Sequence, residues 1–168
     1  MEILTNWHDF FLMVGGGSAA LAGLVFVAMS INLDIIAQDP THKNRAIGTL
    51  VGFSSVFMIC AFGLMGDQNH ISLGVEWLVV SAIATIIYIR GYIRAVTMGG
   101  SPTRLSLGLT IGGTVCYIAQ ILGSILLVFG YISGLYLAAT AMIISFASLI
   151  SGAWLLIMGI HESEIKHR

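Results

Sequence analysis

Five stretches of this chain are apolar for long enough to cross a bilayer, and only short polar segments separate them. They run from about Phe10 to Asn32, Ala46 to Gly66, Leu73 to Ile89 (Tyr92 if Arg90 snorkels), Leu105 to Phe129 and Leu135 to Ile160. About 20 helical residues rising 1.5 Å each span a hydrocarbon core of roughly 30 Å. No water is available there to hydrogen-bond a free backbone, so a crossing segment must be a helix or part of a closed barrel. Runs of this length fit helices. The sequence therefore predicts an all-α integral membrane bundle of five transmembrane helices, and residues 1–168 form one domain because no link is long enough to fold alone. Composition agrees, since only 9% of the 168 residues are charged, against about a quarter in a soluble domain.

Charge then predicts orientation. The seven Lys and Arg residues occupy alternate polar segments: Lys43 and Arg45 in one, Arg90, Arg94 and Arg104 in another, Lys166 and Arg168 in the tail. Basic residues accumulate on the cytoplasmic side, which places the N-terminus outside and the C-terminus in the cytoplasm. Aromatic residues favour the two interfaces; Trp7, Trp77, Tyr131 and Tyr136 are expected at the outer one, and Tyr88, Tyr92 and Trp154 at the inner one. Met1 to Asp9 lacks Lys and Arg, so the first stretch is expected to be a retained helix rather than a secretory signal. Asp39-Pro40, Asp67 to His70 and Gly99 to Pro102 read as turns, and Ile132-Ser133-Gly134 as a tight reversal. The fifth stretch exceeds a perpendicular span and is expected to tilt.

Small residues recur every fourth position: Gly15, Ala19 and Gly23 on the first helix, Gly48 and Gly52 on the second, Gly108 and Gly112 on the fourth, and Ser148 and Gly152 on the fifth. Such faces let helix backbones approach closely in lipid. They serve packing within one chain or a homo-oligomer face, and the glycine-rich first helix offers more than a single contact needs.

Chemistry-bearing residues are few. No Asp, Glu, Lys, Arg or His stands in the middle of a span, which argues against a proton-coupled carrier. The five histidines lie at or beyond helix ends, where a bis-histidine haem cannot be held. His8, Asp67 and His70 are candidate metal ligands on the outer side. Asp34 and Arg90 fall near one level and are a candidate inner-face ion pair. Ser18, Ser30, Asn32 and Gln120 are candidates for a polar path, although a glutamine such as Gln120 more often bonds a neighbouring helix than lines a path. His161 to Ile165 resembles HExxH but has Ile165 where the second His belongs. Cys60 and Cys116 lie within apolar stretches, without CxxC spacing. Neither an enzyme nor a bound cofactor is expected, and a net charge of −1 gives no general affinity for nucleic acid.

Trp7-His8-Asp9-Phe10-Phe11, the small-residue run Gly15 to Gly23 and Ser30-Ile31-Asn32-Leu33 together resemble a group of small bacterial multi-pass membrane proteins. The resemblance covers about the first third of the chain. It implies the bacterial cytoplasmic membrane and brings no assigned activity. Two functions follow as expectations. One is a homo-oligomeric channel or permeation protein for ions or small solutes. The other is a non-enzymatic accessory or regulatory subunit of a larger membrane complex, its small-residue faces meeting other membrane proteins.

Overall fold

Long apolar runs without an internal proline form uninterrupted helices. The computed structural model describes residues 7–33, 36, 40–66, 68–97 and 104–166, and the side chains of 7–33, 36, 43–66, 68–94, 97 and 111–154. Among them are five helices: α1 (His8–Ile31), α2 (Pro40–Leu64), α3 (His70–Thr97), α4 (Arg104–Val128) and α5 (Ser133–Lys166). Each is long and apolar enough to cross a membrane. Several overrun the apolar stretches. α2 starts at Pro40, because a proline in the first turn has no N–H to leave unpaired. α3 continues through Arg90 and Arg94 to Thr97.

Between α4 and α5 the chain reverses at Gly130, whose φ is +81°. Its N–H donates to the Leu127 carbonyl and that of Tyr131 to Leu126, both at 2.9 Å, the paired bonds that end a helix on a left-handed glycine. The reversal is thus made by Gly130, ahead of the expected Ile132-Ser133-Gly134. Gly134 lies in the first turn of α5, where a Cβ would stand 2.5 Å from the Gly123 carbonyl, so α4 and α5 meet backbone to backbone.

α2, α3, α4 and α5 each contact their neighbours in a closed ring, while α1 lies outside it against α2 and only grazes α5. Large apolar side chains such as Leu24, Phe26, Ile83, Ile111 and Ile143 point outward and are more than half exposed. An apolar exterior of this extent suits lipid rather than water, which makes the fold that of a multi-pass membrane protein.

Glycines permit most of the helix contacts. A Cβ on Gly15 would come within 2.9 Å of Cys60 Cβ, and one on Gly63 within 2.8 Å of the Phe11 ring; both join α1 to α2. Gly52 receives Leu149 of α5. Ala19 and Gly23, expected on the same face as Gly15, are instead exposed, and nothing lies within 4 Å of a Cβ on Gly23. Four residues advance a helix by about 400°, so each repeat drifts about 40° and the third member has left the contact. The buried side of α1 is Phe11, Val14, Gly15, Ser18 and Val25. Gly112 meets nothing within 4 Å, and the surroundings of Gly108 lie outside the described residues.

At the end marked by Trp7, the ring is filled. Phe11, Ile59, Leu73, Trp77, Leu127 and Met142 belong to one buried cluster. Trp77 is fully buried, its Nε1 donating to the Ile59 carbonyl at 2.9 Å and its ring standing edge-on to Phe11 at 5.7 Å. It is a core residue and not an interface aromatic. Trp7 covers the cluster from outside, in contact with Tyr136 at 4.9 Å between ring centroids.

Candidate functional site

Toward the opposite end, marked by Arg45, the same ring encloses a cavity of about 210 Å³. No residue of α1 lines it. Each ring helix contributes its least bulky or most polar stripe at helical spacing: Arg45, Thr49, Gly52 and Ser55 from α2; Ser81, Tyr88 and Gly91 from α3; Gly113, Tyr117 and Gln120 from α4; Ser145, Ser148 and Gly152 from α5. Its floor is Val56, Ile59 and Met142, which also belong to the filled cluster. Its rim is Asn44 and Arg45, both half-buried, with the more exposed Tyr92. Ile59 lies fourteen positions after Arg45 on α2, about 21 Å along the axis.

Glycine shapes the wall here as well. A Cβ on Gly113 would come 2.8 Å from the Tyr88 hydroxyl, whereas one on Gly48 would meet only Tyr88, at 4.0 Å. The rings of Tyr88 and Tyr117 lie 5.5 Å apart, and Tyr117 is hydrogen-bonded to Ser55. Tyr88 therefore belongs to the cavity rather than to an interface belt.

Among the described residues, six polar ones are buried: Ser18, Thr49, Ser55, Ser81, Gln120 and Ser124. Four of them return their hydroxyl proton to a carbonyl of their own helix: Ser18 to Gly15, Thr49 to Arg45, Ser55 to Gly52 and Ser124 to Gln120, at 2.8 to 3.0 Å. That local bond is how a helix hides a hydroxyl from an apolar medium. Ser81 Oγ and Gln120 Nε2 make no such bond and have no partner in the protein, although Ser81 is 0% and Gln120 5% exposed. Both residues line the cavity. An unpaired buried polar group is costly, so two of them at one cavity mark it as a site. Gln68 Oε1 is also unpartnered, but it lies in the α2–α3 turn at the other end.

Of the four path candidates, only Gln120 reaches this cavity. Ser18 is enclosed beside α2, Ser30 bonds to the Phe26 carbonyl and Asn32 to the Ala28 carbonyl at the end of α1. Sequence reading missed Ser81, Ser55 and Tyr117. The signal was the i, i+4, i+7 stripe of small, polar and aromatic residues on α3 (Trp77, Ser81, Ala84, Tyr88) and on α4 (Gly113, Tyr117, Gln120, Ser124). Arg90 is exposed, and Asp34, its expected partner, lies outside the described residues, as does Asp67. His8 is exposed, 3.4 Å from Asp9, and His70 stands at the start of α3, also exposed. Among the described residues, no three of His, Cys, Asp and Glu are grouped to hold a metal.

No protein-family model matches the chain, and neither a curated protein nor a solved structure is significantly similar to it.

Proposed function

We propose that this is a permeation protein of the bacterial cytoplasmic membrane, in which α2 to α5 surround a solute site entered from the cytoplasm. The observation that carries the reading is the cavity, with its two unpartnered polar residues inside an otherwise apolar ring. The basic residues Lys43, Arg45, Arg90 and Arg94 cluster at the Arg45 end, which the positive-inside rule makes cytoplasmic, with the N-terminus outside and the C-terminus inside. The path then runs within each protomer rather than between subunits. Exposed Ala19 and Gly23 on α1 leave a small-residue face for homo-oligomer assembly. An open cytoplasmic side and a filled outer side describe one state of an alternating or gated pathway, the Trp77 cluster being its barrier.

Proteoliposomes test this by shrink–swell light scattering in gradients of small uncharged solutes and by ion flux. Flux is expected from wild type, and Gly48→Leu should abolish it, because that side chain fills the cavity without straining the wall. Liposomes silent to every solute and ion overturn the reading. The filled outer half favours a second reading, an accessory subunit that needs no through path and meets its partner on the same face of α1. Recovery from native membranes only as a hetero-complex, together with silent liposomes, would establish it.

A further inference from the structure

The cavity's chemistry selects among solutes. Among its described lining residues there is no Asp or Glu, and Arg45 is the one cation. A cation entering would pass Arg45, with Lys43, Arg90 and Arg94 at the same end, and find no carboxylate to replace its hydration. An anion is drawn to that end, but it would leave Arg45 behind. Tyr117, bonded to Ser55, places its own turn of α4 beside Ser55 on α2, so Gln120, one turn further along, faces the level of Ile59. Ser81 lies one turn from Trp77, which binds the Ile59 carbonyl. Gln120 thus sits near the floor, about 21 Å along α2 from Arg45, and Ser81, on the antiparallel α3, stands about one turn nearer the mouth. An ion there would be desolvated without a counter-charge, a cost of several kcal/mol or more.

What the floor offers is neutral. Gln120 Nε2 is a donor, and the Ser81 hydroxyl can donate or accept. Around them, Val56, Ile59 and Met142 are apolar, and Tyr88 and Tyr117 present rings. Ile47 and Ile87, exposed apolar residues, also border the cavity. A volume of 210 Å³ holds on the order of ten waters, or one single-ring molecule.

We infer that the cavity binds a small uncharged organic molecule bearing a carbonyl or amide oxygen. That oxygen accepts from Gln120 Nε2 and Ser81, and the apolar body lies against Val56, Met142 and the two tyrosines. The inference rests on the cavity being the solute site of the proposed permeation protein, and names what the site takes.

Three isosteric probes separate it from the alternatives: benzamide (neutral), benzoate (anion) and benzamidinium (cation). They are titrated against the purified full-length protein by thermal stabilisation and by saturation-transfer NMR, and tested for entry into proteoliposomes. Benzamide should bind saturably and at least about ten-fold more tightly than either ion, the worth of roughly one buried hydrogen bond. Gln120→Leu should weaken benzamide about ten-fold while leaving the melting temperature of the free protein unchanged or higher, since it removes an unpaired buried amide. In a Cys60→Ala background, bound benzamide should slow modification of Cys116, which lines the cavity, by methyl methanethiosulfonate. Preferential binding or entry of benzoate or benzamidinium overturns this inference and leaves the permeation reading standing. Benzamide binding that Gln120→Leu does not weaken, or that leaves Cys116 unprotected, overturns it too. Absence of binding by all three, with liposomes silent to every solute and ion, overturns both.

Discussion

A glycine's worth in this protein depends on which atoms face it. At Gly134 a Cβ would meet the Gly123 carbonyl at 2.5 Å and the Leu127 amide at 2.8 Å. Those are backbone atoms of a helix and cannot swing aside, so Gly134→Ala forces α4 and α5 apart. A cost of about 1–3 kcal/mol is expected, as for overpacking elsewhere, read as a lower midpoint in detergent-mediated unfolding. Gly16 has nothing within 4 Å of its Cβ position. There Gly16→Ala removes only the conformational freedom of glycine in a helix, and the same assay should show a gain of roughly 0.5–1 kcal/mol. Equal losses at the two positions would mean that the α4–α5 contact is not as close as described. Gly113 is intermediate in kind, since its obstacle is the end of the Tyr88 side chain, which can move at the cavity's expense.

At the scale of elements, α1 divides into two faces that a sequence pattern cannot separate. Gly15 is buried against Cys60, while Ala19 and Gly23 face outward. Ala19→Leu with Gly23→Leu should therefore leave the unfolding midpoint within about 0.5 kcal/mol of wild type, as for surface positions free of special contacts. If that face assembles subunits, the same pair should reduce the native mass in mild detergent to that of one chain. Gly15→Leu should instead destabilise the chain itself. The helices were legible in the sequence because apolar length is a local property, fixed by the backbone's need for internal hydrogen bonds in lipid. Their arrangement was not. Helices apolar on nearly every side give little indication of which face meets a neighbour, and so Trp77, near the end of a span, reads the same whether it anchors at an interface or closes a core. Gln120 stood out as an amide among apolar residues. Ser81 did not, because several helical serines here spend their hydroxyl on their own backbone, as Ser55 and Ser124 do, and only the assembled ring shows that Ser81 is buried without such a bond.

Over the whole molecule, polarity is inverted relative to a soluble bundle: apolar side chains outside, with hydroxyls, an amide and tyrosines around a cavity inside. That inversion has direction, filled at the Trp7 end and hollow at the Arg45 end. The proposed orientation makes the filled end external. In intact cells, a membrane-impermeant maleimide should then label Tyr131→Cys, exposed at that end, and should label Lys43→Cys only after lysis; the reverse pattern would invert the topology. The barrier itself is thin in residues. Trp77 is held by one bond to the Ile59 carbonyl and by its T-shaped contact with Phe11, and it belongs to the same buried cluster as Ile59 and Met142 of the cavity floor. Truncating it removes more volume than neighbours in fixed helices can reclaim, so Trp77→Ala should cost about 3–5 kcal/mol of stability and extend the cavity toward the outer surface. For a gated pathway, the consequence is a faster passive leak of small uncharged solutes through proteoliposomes carrying the variant, still blocked when Gly48→Leu is added. A leak that Gly48→Leu does not suppress would come from a loosened bundle. No leak at all from a folded Trp77→Ala protein would mean that the cluster is structural core and the cavity a binding site without an exit, the arrangement an accessory subunit requires.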